Sequence, residues 1–84
     1  MMRMPEIARF YGIIIKIYFN DHNPPHFHAY YGEYDGAFDI QTLEMIYGDL
    51  PKKAQELVRE WAEQYREKIM EMWKMKKIEK LPSL

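Results

Sequence analysis

The sequence contains no cysteine, which excludes disulfide bonds and thiolate metal ligands. It also lacks a long apolar run. Residues 10–19 are the longest stretch of this kind, but Gly12 and Lys16 interrupt it, and it falls short of the ~20 residues that span a bilayer. Residues 1–6 show no apolar segment typical of a secretory signal. We therefore expect a cytosolic protein without membrane contact.

The chain has little net charge, a formal −1 at pH 7, so no overall positive field attracts nucleic acid. Its 84 residues have room for one domain, 1–84, and its 48% hydrophobic and 30% charged residues are typical of a globular protein. A core of this size supplies only ~3–5 kcal/mol of net stability. Packing against a second copy or a partner protein would add to it.

Positive charge is concentrated near the C-terminus, at Lys74, Lys76, Lys77 and Lys80. Lysines commonly occupy helix C-termini, where they oppose the helix dipole, and solvated tails. We interpret the segment in this way and keep contact with RNA phosphates as the alternative.

Alternation of apolar and polar residues predicts an α+β fold, with a small antiparallel sheet of three to four strands followed by a long C-terminal helix on one face. The strands are expected over about 10–19, 26–34 and 37–42, with a short fourth over 43–47. Apolar residues at helical spacing predict a helix over about 51–77. A straight helix of this length would measure ~40 Å and overreach so small a sheet, so we expect a bend or a second short helix near residues 69–73.

The pair Asp35-Gly36 predicts a two-residue hairpin loop that would place Tyr31 opposite Ile40. Alternation then separates an apolar face, which should receive the helix, from a polar face that is exposed or covered by a partner. The apolar face comprises Phe27, Ala29, Tyr31, Phe38 and Ile40, and the polar face His26, His28, Tyr30, Asp39 and Gln41.

Three interpretations of the histidines remain open. The His26-x-His28 pair projects both imidazoles to one side of a strand, and His22 or Asp21 could complete a site for zinc or another divalent transition metal. Alternatively, two imidazoles can share proton transfer in phosphodiester cleavage, with Lys16, Arg9 or Tyr30 stabilising negative charge. The third interpretation is structural: histidines can satisfy backbone groups in a proline-containing loop or form a dimer surface.

The residues also resemble a known family. The string N-D-H-N-P-P-H-F-H over residues 20–28, together with residues 4–13, 31–33, 50–52 and 61–62, is similar to the domain of unknown function 4160 family of small prokaryotic proteins. The resemblance implies no established activity. It does imply a small partner protein of another uncharacterised family, and a toxin–antitoxin-like module with this chain as the candidate toxin.

Our leading hypothesis from sequence is such a toxin, acting through a histidine surface on RNA or another intracellular target. His26 and His28 would form the acid–base or ligand pair, supported by His22 and Tyr30. Arg9 or Lys16 would face phosphate, and Lys74, Lys76 and Lys77 would strengthen RNA binding. The alternative is a non-enzymatic metal-binding or protein-interaction module, or a homo-oligomer built on the histidine face. Whether the chain is an enzyme stays open.

Overall fold

A computed structural model describes residues 6–18 and 23–84. Five strands and one helix follow in chain order: β1 (Glu6–Phe10), β2 (Ile13–Lys16), β3 (His26–Tyr31), β4 (Tyr34–Asp39), β5 (Met45–Gly48) and α1 (Lys52–Met75). The strands form one antiparallel sheet in the order β1 to β5, so each pairs with its neighbour in sequence. The α+β prediction is confirmed, with one strand more than the three to four expected.

The predicted strand over 10–19 is instead a hairpin. Its chain reverses at Tyr11 and Gly12, which both have positive φ, 50° and 78°. Phe10 ends β1 and pairs with Ile13 at the start of β2. The alternation of side chains over residues 10–19 gave no indication of this turn. Gly12 was the available signal, since an isolated glycine inside a strand pattern indicates an irregularity in the strand. The predicted continuation to residue 19 lies outside the described residues.

The predicted hairpin loop at Asp35-Gly36 was wrong, because the reversal occurs at Gly32 and Glu33 and pairs Tyr31 with Tyr34. Gly36 lies inside β4, where a Cβ atom would come within 2.7 Å of the Met45 sulfur. Its small size therefore serves packing against β5. The partner of Tyr31 moves by an even number of residues, so the predicted division of β3 and β4 residues between two faces is kept. Two details differ: Tyr31 is 40% exposed, and residues 40 and 41 follow the end of β4.

The helix covers the apolar face, as predicted. Phe27 stacks on Phe38 with ring centroids 5.4 Å apart, and Trp61 of α1 lies 6.2 Å from the Phe27 ring and 5.4 Å from the Phe10 ring. Ile7 of β1 and Ile13 and Ile15 of β2 complete this layer, each fully buried. Burying each such side chain contributes ~1.5–3 kcal/mol relative to leaving it in water.

Helix α1 is bent within its length, as the sequence predicted. Tyr65 has the non-helical angles φ −123° and ψ 19°, so a kink divides α1 into two helical stretches at this residue, ahead of the expected 69–73 segment. The last turn carries Lys74, and Lys76 closes the helix in a left-handed conformation with φ 57°. No helix among the described residues is long and apolar enough to cross a membrane.

The residues after the helix return to the body of the protein, and we call residues 77–84 the C-terminal strap. The Leu81 N–H donates to the Ile7 carbonyl at 2.7 Å, and the Trp61 indole N–H donates to the Pro82 carbonyl at 2.8 Å. The expected solvated tail is therefore only partly correct. Lys77 and Lys80 are exposed, but the backbone that carries them is held in place.

Candidate functional site

The polar face of the sheet contains an open cleft of about 520 Å³, which we call the histidine cleft. Strands β3 and β5 contribute to it, together with the chain that leaves β2 and the chain that enters β3. Its lining residues are Tyr18, Asn23, Pro24, His26, His28, Ile46 and Tyr47. No carboxylate is among those described side chains, so the cleft is formed by imidazole, phenol, amide and apolar groups.

His26 is held more tightly than its predicted exposed face implied. Only 7% of the residue is accessible, its ring lies 5.3 Å from the Trp73 ring, and its Nδ1 lies 2.7 Å from the Pro24 carbonyl oxygen. Because a carbonyl oxygen can only accept, Nδ1 carries the proton and donates. In the neutral imidazole the lone pair is then on Nε2. The hydrogen bond fixes both the tautomer and the ring orientation.

His28 is half-buried and lies two residues further along the same face of β3. Its ring centroid is 5.1 Å from that of His26, 5.0 Å from that of Tyr18 and 6.5 Å from that of Tyr47. The first two contacts are edge-to-face, an arrangement that aromatic quadrupoles favour. His28 is thus surrounded by rings, and it shares the cleft with the second imidazole, as the His-x-His spacing predicted.

Two tyrosines form a hydrogen-bonded pair beside His28. The hydroxyl oxygens of Tyr18 and Tyr30 are 3.0 Å apart, and the Lys16 ammonium lies 5.1 Å from the centre of the Tyr30 ring. Burial, and then the hydrogen bond with Tyr18, raise the pKa of Tyr30 well above its usual range. The phenol of Tyr30, which like any tyrosine is protonated at neutral pH, therefore keeps its proton further into the alkaline range.

Lys16 is brought to this site by strand pairing. In the register of β2 and β3, Lys16 lies opposite His28 and Ile14 lies opposite Tyr30. Directly paired residues of antiparallel strands project to the same face. The structure therefore places the Lys16 charge at the border of the histidine cleft.

Strand β5 contributes the outer wall of the cleft through an irregular pairing. Tyr47 pairs with Ala37, but the next β4 residue, Phe38, pairs with Met45, which leaves Ile46 between them as an additional residue. Such a bulge redirects side chains. Ile46 and Tyr47 accordingly both line the cleft, with 44% and 59% of their surfaces exposed.

Arg9, a predicted phosphate contact, is engaged elsewhere. Its guanidinium donates to both carboxylate oxygens of Glu6, at 3.0 and 2.9 Å. This hydrogen bond to Arg9 is the largest cause of a lowered pKa at Glu6, where burial acts in the opposite direction. The bidentate pair ties the arginine to its own strand, and Arg9 does not line the histidine cleft.

The other predicted site residues are separate from the cleft lining or outside the described residues. Lys74, Lys76 and Lys77 lie at the end of α1 and in the strap, and none lines the histidine cleft. Asp21 and His22 fall in the part of the chain that the structure does not describe. Of the predicted set, the structure therefore unites His26, His28, Tyr30 and Lys16.

A complete metal site does not appear within residues 6–18 and 23–84, where no three His, Asp or Glu side chains come together. His26 and His28 could offer two nitrogen ligands at most, whereas structural zinc sites use four protein ligands and catalytic sites three. Any further ligand from Asp21 or His22 lies outside these ranges.

Sequence reasoning missed several residues of the site: Tyr18, Asn23, Pro24, Ile46, Tyr47 and Trp73. Strand alternation already put Tyr18 on the face of Lys16, so that residue could have been included. Pro24 acts through its backbone carbonyl, which no residue pattern reveals. Ile46, Tyr47 and Trp73 approach His26 and His28 only through long-range packing of β5 and α1.

These observations define a small sheet-and-helix protein with an aromatic cleft centred on two strand histidines. Comparison with protein-family models supplies the family: residues 12–74 match the model described as Domain of unknown function (DUF4160). The match covers most of the chain, so the chain belongs to this family, as the sequence resemblance implied. No curated protein and no solved structure gave a significant match.

Proposed function

We propose that this protein is the effector of a toxin–antitoxin-like pair and that it cleaves RNA in the histidine cleft. The observation that carries the proposal is the pair of imidazoles, His26 and His28, with ring centroids 5.1 Å apart in one open cleft. Histidine changes its charge near neutral pH, so two neighbouring imidazoles can provide one base and one acid.

The proposed reaction is transfer of an RNA phosphodiester to its own ribose. His28 removes the proton from the 2′-hydroxyl, and the resulting oxygen attacks the adjacent phosphorus to form a 2′,3′-cyclic phosphate. The bond from phosphorus to the 5′ oxygen breaks, and protonated His26 donates its Nε2 proton to that oxygen. The products are a cyclic phosphate end and a 5′-hydroxyl end. The two histidines finish with their protonation states exchanged.

The neighbours of the histidines suit this reaction. Tyr18 lines the cleft and shares a hydrogen bond with Tyr30, whose pKa is raised by burial. Phenol donors and the Lys16 charge would stabilise the negative charge that develops on the phosphate oxygens. Tyr47 and Ile46 form an exposed wall against which an unpaired base could stack.

The direct test is incubation of the purified protein, prepared without an affinity tag, with a single-stranded RNA oligonucleotide. We expect products with 2′,3′-cyclic phosphate ends. His28→Gln and His26→Gln should each lower the rate by a factor of about 10² or more, as is typical for loss of general acid–base groups. Tyr11→Phe is the matched control, since Tyr11 is 67% exposed in the β1–β2 turn. Intact RNA with the wild type, or equal rates for all variants, would contradict the proposal.

A cellular test examines the effector role separately. Induced expression of the wild type should arrest growth of a susceptible host, and a variant with His22, His26 and His28 replaced by alanine should not. Equal abundance and a folded state of the variant must be established. Arrest by both proteins would show that the histidines do not carry the effect.

Because the net charge of the protein is only −1, binding of RNA would require a local cluster of positive side chains. Phosphate contacts normally dominate nucleic-acid affinity, and Lys74, Lys76 and Lys77 are the densest positive charges in the sequence. Replacing these three lysines by glutamine should weaken RNA binding at low salt. Unchanged affinity would indicate that this end of the chain does not contact RNA.

A second candidate function is a transition-metal site, favoured by one specific contact. Metal-ligating histidines usually donate their other ring N–H to a carbonyl or carboxylate, and His26 Nδ1 makes this bond with Pro24. Zn²⁺ titration of untagged protein, compared with a His26→Ala/His28→Ala double variant, tests it. Stoichiometric binding that the double variant loses would support the metal site. Absence of Zn²⁺ binding by the wild type would contradict the metal-site proposal.

A further inference from the structure

The outer strands β1 and β5 differ in whether another segment forms hydrogen bonds with their outer edge. At the β1 edge, the Leu81 N–H of the C-terminal strap donates to the Ile7 carbonyl. At the β5 edge, β5 has a neighbouring strand only on its β4 side within the described residues. An uncovered edge presents backbone donors and acceptors that can pair with another strand.

The β5 edge also carries exposed apolar surface. Ile46 and Tyr47 are 44% and 59% exposed, and the bulge at Ile46 directs both toward the same side of the sheet as the histidine cleft. Bulges and short strands reduce indiscriminate edge pairing. A binding partner would therefore have to be selected by side chains as well as by backbone hydrogen bonds.

Acidic residues flank this apolar centre. Glu44 precedes β5 and Asp49 follows it, and both are exposed. The Asp49 carboxylate accepts a hydrogen bond from the backbone N–H of Asp35 at 3.2 Å, which fixes its position at the end of β5. An antiparallel copy of β5 centred on residues 46 and 47 would place Glu44 opposite Asp49 at both ends. Like charges directly opposite each other destabilise a strand pair, so a second copy is a poor occupant.

We propose that the β5 edge binds an extended segment of another protein that has β-branched or aromatic residues at its centre and lysine or arginine at its ends. The backbone groups of β5 would supply affinity by strand addition, and Glu44 and Asp49 would supply selectivity. This interface goes beyond the proposed function and does not depend on it. The bound segment would border the histidine cleft, because Ile46 and Tyr47 belong to both surfaces.

The probes are two short synthetic peptides of alternating valine and threonine that end either in lysines or in glutamates. We expect the lysine-ended peptide to bind about tenfold more tightly, since two charge pairs of modest strength produce a difference of this size. Anisotropy of a labelled peptide measures the affinity. Amide chemical shifts should change mainly over residues 44–49. Equal binding of both peptides, or binding that leaves these amides unchanged, would overturn the proposal.

A charge variant provides the second measurement. Glu44→Lys should weaken binding of the lysine-ended peptide several-fold and improve binding of the glutamate-ended one. Glu63→Lys is the matched control, because Glu63 is exposed on α1 and the same charge change there should leave both affinities unaltered. Sedimentation of the protein without peptide tests whether a second copy of the chain binds the β5 edge instead. Self-association that Glu44→Lys alters would assign the edge to a second copy and refute the proposal.

Discussion

The imidazole of His26 lies 5.3 Å from the indole of Trp73, and this contact joins the histidine strand to the end of helix α1. Trp73 is 8% exposed and belongs to the hydrophobic core. The bend at Tyr65 lies between Trp73 and the part of α1 that packs on Phe27 through Trp61. The part of α1 before the bend therefore packs on the apolar layer, and the part after the bend contacts His26.

Trp73→Ala should therefore lower the free energy of unfolding by about 3–5 kcal/mol, since truncation of a buried aromatic side chain leaves a cavity. Urea denaturation monitored by circular dichroism measures the change. Met75→Ala is the control on the same helix, because Met75 is 64% exposed and its loss should cost less than about 0.5 kcal/mol. Similar losses for both variants would show that Trp73 does not anchor the helix.

Gly48 ends β5 at a position that no side chain fits. Its φ is +123°, and a Cβ atom there would lie 2.5 Å from the Asp35 carbonyl oxygen and from the Gly36 Cα. Both are backbone atoms that cannot move aside cheaply. Gly48→Ala should lower the free energy of unfolding by more than about 2 kcal/mol, from strain and steric overlap together.

Gly32→Ala is the comparison for Gly48→Ala, because it introduces backbone strain without steric overlap. Gly32 has φ +60° in the β3–β4 turn, but its Cβ position has nothing within 4 Å. The expected loss is about 1 kcal/mol from conformation alone. Thermal or urea unfolding of the two variants compares them directly. Equal losses would mean that the close approach of β4 to Gly48 is not maintained in solution.

The C-terminal strap should contribute to stability through its apolar contacts. Leu81 and Leu84 are partly buried against the core, and the Leu81 N–H binds the Ile7 carbonyl. Leu81→Ala keeps the N–H but removes apolar contact, so we expect a loss of about 1–2 kcal/mol in the free energy of unfolding. Ser83→Ala is the control at an exposed strap position. If the strap does not pack on the core in solution, Leu81→Ala and Ser83→Ala should have the same free energy of unfolding.

Tyr30 should be among the last of the seven tyrosines to ionise as the pH rises. Burial and the hydrogen bond with Tyr18 raise its pKa in the folded state. The folded protein then retains this proton when the unfolded chain releases it, so the associated stability is present below about pH 10 and lost above it. Ultraviolet titration of phenolate absorbance should lose its most alkaline phase in Tyr30→Phe.

Tyr47→Phe is the control for that titration, since it removes one exposed phenol and leaves the Tyr18–Tyr30 pair in place. Circular dichroism at each pH ensures that the protein is still folded. If Tyr30→Phe removes an early phase, the hydroxyl is solvated and the Tyr18–Tyr30 pair is not formed in solution.

The sequence by itself determined the α+β class, the apolar and polar faces of the sheet, the bend expected in the long helix and the family. The class and the faces depend on local spacing, the bend on the length of the helix relative to the sheet, and the family on a specific string of residues. Period-two alternation assigns Phe27 and His28 to opposite faces of their strand, and the faces survived a wrong hairpin loop because the partner strand moved by an even number of residues.

Only the tertiary structure decided the pairing register, the role of β5 and the surroundings of the histidines. Asp35-Gly36 has local turn propensity, but pairing of Gly36 with Ala29 on one side and Gly48 on the other places it within a strand. The contacts of His28 with Tyr47, of His26 with Trp73 and of Leu81 with Ile7 join residues far apart in sequence. Such contacts follow from mutual packing of the sheet, helix and strap, which no short stretch of residues encodes.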